Sequence, residues 1–138
     1  MSVAFEVDLR APFPDAIDRV TAAVKSEGFG VLTRIDIHST PREKLAVDFR
    51  PYTIRGACNP RLAHRALTSN AIAGLLLPCN VTVEATPNGH VVVRIADPEA
   101  MLQLGDLATD QRLRDVSQDA RTRLSRVADA LRRREMAA

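Results

Sequence analysis

Two cysteines, each followed by asparagine, are the residues of this chain best placed to do chemistry. Cys58 lies in Tyr52-Thr53-Ile54-Arg55-Gly56-Ala57-Cys58-Asn59-Pro60 and Cys79 in Leu75-Leu76-Leu77-Pro78-Cys79-Asn80-Val81; the sequence has no third cysteine. Each falls where a predicted strand meets the helix between them, which can bring two thiols to one edge of a sheet. Cys58 precedes Asn59, the expected helix cap. Backbone N–H groups and the helix dipole at such a place favour a thiolate and lower its pKa. With Cys79 close by to resolve an oxidised Cys58, the pair would form a thiol-dependent redox enzyme or sensor. The competing reading is core filler, because free cysteine is among the most buried residue types. Strand parity favours the second: Cys58 shares a face with Tyr52, Ile54 and Gly56, and Cys79 with Val81 and Val83, so both thiols are expected on the core face.

The same helix start is a candidate anion site. Arg55, Arg61, His64 and Arg65 cluster around it in sequence, and unpaired N–H donors at a helix N-terminus bind phosphate or carboxylate. The pocket expected here has Asn59 capping the helix, Cys58, Cys79 and Asn80 lining it, and Arg55, Arg61 or His64 meeting a negative group. The bland alternative for the basic residues is the solvated face of an ordinary helix. Zinc is not expected, because His38, His64 and His90 are scattered and no Cys-x-x-Cys occurs. Glu84 and Asp97 make no carboxylate pair, since Glu84 falls on the sheet face opposite Cys79. Nucleotide and nucleophile-elbow fingerprints are absent, so no cofactor is expected.

The elements that must position these residues are legible from periodicity. Residues 3–9 alternate as a strand. A helix carries Ile17, Val20 and Val24 on one stripe and stops at Gly28. A second strand runs from Gly30 to Ile37, with Val31, Thr33, Ile35 and Ile37 on one side. Thr40-Pro41 opens a short helix, and a third strand ends near Cys58. Asn59-Pro60 starts a helix that is expected to run through Ala71 and stop at Pro78. Strand four, Cys79 to Ala85, turns at Asn88-Gly89 into strand five, His90 to Ala96. Leu113, Val116, Ala120, Leu124, Val127 and Leu131 form one stripe of a long last helix. The order β-α-β-(α)-β-α-β-β-α predicts an α+β two-layer sandwich: a mainly antiparallel five-stranded sheet with helices on one face.

Composition narrows the function classes. A chain of 138 residues with 46% hydrophobic residues suits one globular domain. Its net charge of +2 and 4% aromatic content argue against a nucleic-acid partner. Arg132 to Arg134 read as a basic tail that complements a helix dipole. The N-terminal stretch lacks the pattern of a secretory signal, and the apolar run from Ala71 to Leu77 is too short to span a membrane. A cytoplasmic protein with free thiols is the expectation. Opposite the cysteines, Glu6, Asp8, Arg34, Arg55, Thr82, Glu84 and Arg94 are expected to form a mixed-charge face, which can be solvated or can join two copies through crossed ion pairs.

The segment from Tyr52 to Pro60, Ala63 and Leu67, the element Leu77-Pro78-Cys79-Asn80-Val81 and the pair Asp97-Pro98 together resemble the uncharacterised prokaryotic family called domain of unknown function 302. Phe5, Glu27-Gly28-Phe29-Gly30-Val31 and Met101-Leu102 match its layout as well, so the resemblance covers roughly residues 3 to 131. It implies a compact two-layer α/β fold, one domain, often dimeric, and supplies no activity or substrate. The expected function is therefore a small non-enzymatic domain that binds or senses a small molecule or anion near Cys58 and Cys79. The alternatives are the thiol-dependent redox protein and a purely structural homodimer.

Overall fold

A computed structural model describes residues 2–137. Five strands, β1 (Ala4–Leu9), β2 (Gly30–Asp36), β3 (Tyr52–Cys58), β4 (Cys79–Ala85) and β5 (Val91–Ala96), form one sheet in the order β1-β5-β4-β3-β2. Every neighbouring pair is antiparallel. The helices α1 (Phe13–Ser26), α3 (Pro60–Ser69) and α5 (Gln111–Ala137) supply the second layer. Two short helices, α2 (Ser39–Leu45) and α4 (Pro98–Met101), lie in connections. The fold is thus the α+β sandwich that the element order predicts. Among the described residues, no helix is long and apolar enough to cross a membrane.

Alternation along β1, β4 and β5 decides which face is covered. Val7 and Leu9, Val81 and Val83, and Val91, Val93 and Ile95 are all buried. They meet the stripes of α1 (Ala16, Val20, Val24) and α5, where Leu113, Val116, Ala120, Leu124, Val127 and Leu131 are buried as the spacing predicts. Each fully buried aliphatic side chain of this kind stabilises the fold by about 1.5–3 kcal/mol relative to exposure. Asp110 caps α5: its Oδ1 accepts the Leu113 N–H at 3.1 Å.

Three features depart from expectation. First, β2 carries a bulge. Val31 pairs with Ala57 but Thr33 pairs with Gly56, so Leu32 is the extra residue. Side-chain parity therefore flips within the strand: Val31 packs against the core, while Thr33 and Ile35 turn to the open face. Second, the helix begun at Pro60 ends at Ser69 rather than running to Pro78. Asn70 is extended and its Oδ1 accepts the Ile72 N–H at 3.0 Å, which starts a separate 3-10 helix over Ala71–Leu76. Third, β3 buries the opposite set from the one its apolar residues suggest. Thr53, Arg55 and Ala57 register with Val83, Val81 and Cys79 on the helix-covered face.

Gly56 explains part of that inversion. On the open face, a Cβ at this position would lie 2.1 Å from Thr33 Oγ1 and 2.6 Å from Pro78 Cγ, so only glycine fits. The expected mixed-charge face also changes. Arg34 and Arg55 leave it for the covered face; Glu6, Glu84 and Arg94 pair within the chain, while Asp8 has only the His90 ring beside it at 3.4 Å. Arg94 bridges Glu6 at 3.4 Å and Glu84 at 2.7 Å, and Arg50 holds the other Glu84 oxygen. Hydrogen bonds from Arg94 and Arg50 keep the Glu84 carboxyl below the usual carboxylate range. These ions are therefore paired before any second copy approaches.

Candidate functional site

The end of the sheet that carries Cys79 is closed by irregular segments as well as by α3 and α5. The Leu77–Pro78 peptide is cis. The 3-10 helix over Ala71–Leu76, a second one over Gly105–Thr109, and α4 surround this end. Asp97 caps α4 by accepting the Glu99 N–H at 3.0 Å and also takes Arg121 at 3.0 Å. Opposite, Asn59 caps α3: its Oδ1 accepts the Leu62 N–H at 3.2 Å.

Three cavities lie in a row here, each sharing a wall with the next. The innermost, about 30 Å3, is bordered by Cys58, Asn59, Cys79, Leu62, Phe29 and Ser117 among others. The next, about 230 Å3, shares Leu77, Pro78, Cys79, Pro98 and Leu102 with it and adds Asn80 and Met101. The outermost, about 360 Å3, shares Leu75 and Leu76 with the middle one and is completed by Ile72, Leu104 and Leu107 together with Asn70, Gly105 and Asp106. The inner space has room for a water or two, but its walls are nearly all apolar, and such spaces stay dry.

Of the residues expected at the site, Cys58, Asn59 and Cys79 do meet at one cavity and Asn80 borders the adjoining one. The two thiols do not share a face. Ala57 is the register partner of Cys79, so Cys58, the last residue of β3, alternates to the other side of the sheet. The expected lowering of the Cys58 pKa is also overturned. Burial pushes the Cys58 thiol up, and burial reinforced by the nearby Cys58 pushes Cys79 up to about 11. A helix N-terminus whose cap is filled by Asn59 does not offset the loss of solvent.

The basic residues disperse. Arg55 is buried and its Nε donates to Thr53 Oγ1 at 3.2 Å, along the strand and away from the cysteines. Arg61 is exposed on α3. His64 and Arg65 border a separate cleft with Arg112 and Asp115, and Arg65 is paired with Asp119 at 3.1 Å. None of Arg55, Arg61 and His64 borders the three cavities, so the anion-binding cluster expected beside the cysteines is not assembled there. Among the described residues, no three His, Cys, Asp or Glu side chains converge as metal ligands would.

The residues that sequence reasoning missed are the aliphatic ones: Ile72, Leu75, Leu76, Met101 and Leu104. A signal for them exists in Leu75-Leu76-Leu77-Pro78. Consecutive leucines cannot all sit on one stripe of an amphipathic helix, so some must face elsewhere.

Residues 5–131 match the family model described as Domain of unknown function DUF302, and the chain belongs to this family. The fold is similar to that in a crystal structure of an uncharacterized conserved DUF302 protein from Bacillus stearothermophilus. The TM-score is 0.84 and the identity 29%, covering 96% of this chain and 100% of that one. No curated protein matches the chain.

Proposed function

We propose that this protein is a binding module for a small apolar molecule, taken up at the sheet end that carries Cys79. The observation behind this reading is the mouth of the outer cleft. Ile72, Leu75 and Leu104, exposed by 59%, 84% and 59%, surround one opening. Large aliphatic side chains gathered in the open mark a place where something apolar docks. The outer cleft alone reaches the lower end of the range for ligand pockets, about 300–1,000 Å3. Behind it, Leu75 and Leu76 form the wall shared with the middle cavity, which Met101 and Leu102 line further in. The thiols then serve as compact, polarizable lining. Thiolate chemistry draws no support from two groups whose pKa values burial raises. Free cysteines suit a reducing compartment, so we infer a cytoplasmic location.

The test is the fluorescence of N-phenyl-1-naphthylamine titrated with the protein. A saturable rise is expected with the native chain. Leu75→Glu is expected to weaken binding roughly tenfold or more, since about 1.4 kcal/mol suffices for that factor. Leu75 is mostly solvent-exposed, so the substitution leaves the fold intact, which circular dichroism checks. No saturable signal, or an unchanged titration in the variant, would remove the proposal.

A second reading, homodimer formation, rests on a different surface. The edge strand β2 exposes Leu32 and Ile35, and the arm that follows it exposes Leu45, Val47 and Phe49. An uncovered edge with apolar side chains needs a cover, and a second copy provides one. Sedimentation at micromolar concentration should give twice the chain mass; a monomer would remove this reading.

A further inference from the structure

On the helix-covered face, the register sets Arg34 directly opposite Arg55. Like charges at such a cross-strand pair repel. Asp36 is the carboxylate at hand, and Arg34 takes it: the Arg34 Nε lies 3.2 and 3.1 Å from the two Asp36 oxygens, with Nη2 3.1 Å from Oδ2. Arg55 is the buried member, 8% exposed. Its Nε donates to Thr53 Oγ1 at 3.2 Å, and the Thr53 hydroxyl itself donates to the Ile35 carbonyl at 3.3 Å. The terminal nitrogens of Arg55 find no acceptor among the described residues, and no carboxylate there pairs with it. Two guanidinium groups thus share one carboxylate: Asp36 pairs directly with Arg34, and its charge reaches Arg55 only through space, without a hydrogen bond.

A mostly buried arginine is ordinarily paired, yet the terminal nitrogens of Arg55, which still touch solvent, have no protein partner among the described residues. A guanidinium fork matches the two oxygens of a carboxylate or a phosphate group. Thr53 fixes one edge of the Arg55 fork and leaves the other edge to donate. We propose that Arg55, held by Thr53 and flanked by Arg34, binds a small oxyanion, a carboxylate or a phosphate, beside the β2 edge. This site is separate from the apolar cavities, whose walls do not include Arg34 or Arg55. It also accounts for the like-charge pair: the anion supplies Arg55 with the direct partner that Asp36 gives only to Arg34.

The test is a titration of the native protein with inorganic phosphate and, separately, acetate at constant ionic strength, followed by the Arg55 Nε–H and backbone amide resonances. Saturable shifts are expected at Arg55, Thr53 and Arg34 with at least one anion, and which one responds assigns the oxyanion. Arg34→Ala frees Asp36 to pair with Arg55, so it should weaken the anion roughly tenfold or more, as losing a charge-assisted contact does. Arg55→Met should abolish the shifts; if that variant does not fold, the native titration and the exposed Arg34 variant still decide. Shifts reproduced by chloride, or no saturable shift with either oxyanion, would overturn the proposal.

Discussion

Cys79 sits on the covered face with Val81 and Val83, and burial followed by the field of Cys58 pushes its thiol up to about 11. The unperturbed thiol value is about 8.5. Because the fold favours the neutral thiol, this contribution to stability is whole below the unfolded value and is lost as pH rises from there towards 11. Urea unfolding across this window should show stability declining more steeply in the native chain than in Cys79→Ala, which is less stable at neutral pH but lacks that slope. Equal slopes would contradict the assignment. The same chemistry governs modification. With iodoacetamide at about pH 8, just below the free thiol value, Cys79 should stay unmodified until the protein unfolds. Cys58 should react more slowly than an exposed thiol, as mapped by mass spectrometry. Rapid alkylation of Cys58 at neutral pH would return the thiolate reading to the front.

At the scale of elements, the start of α3 and the end of α1 are locked through one side chain. Asn59 caps α3 with its Oδ1, while its Nδ2 lies 2.9 Å from where a Cβ on Gly28 would stand. Gly28 ends α1 at φ +84, in the left-handed region. Asn59→Ala should cost about 1 kcal/mol through the lost cap. Gly28→Ala should cost about 1–2 kcal/mol from backbone strain alone, with crowding against Asn59 added. In the double variant the crowding disappears, so the two costs should sum to more than the measured loss in a urea-unfolding cycle. Strict additivity would contradict the contact. Elements of this kind were legible where one rule dominated. The stripe of α5, the Asn59-Pro60 start and the strand from Cys79 to Ala85 all follow from periodicity and capping. Illegible were the places where two rules compete. The bulge at Leu32 reverses parity within β2 without a sequence mark. In β3 the apolar-looking set, Tyr52, Ile54, Gly56 and Cys58, lies on the open face, where Gly56 admits Thr33 and Pro78. Asn70 recaps the chain before Pro78 can act as the stop. The candidate site was half legible for the same reason: Cys58, Asn59, Cys79 and Asn80 sit on regular element ends, whereas the leucines of its mouth lie on 3-10 segments with no period to read.

In the whole molecule the covered face separates two kinds of surface. One end of the sheet gathers apolar cavities behind Leu75, Leu76 and Leu102, and the β2 side gathers the arginines with Asp36 and Thr53. On the open face Arg94, Glu6, Glu84 and Arg50 are already paired with one another, so the apolar β2 edge and its arm are the surface that favours a dimer. The ligand site we propose lies on the first surface, and methyl-resolved NMR during titration with benzene tests it most directly, because benzene is apolar, uncharged and small enough for each cavity wall to report separately. The expected result is saturable shifts of the Leu75, Leu76, Met101 and Leu102 methyl groups, with the methyls of Val20 and Val24 in α1 unmoved. Shifts that never saturate, or that spread evenly over the core, would contradict a ligand site at this end of the sheet.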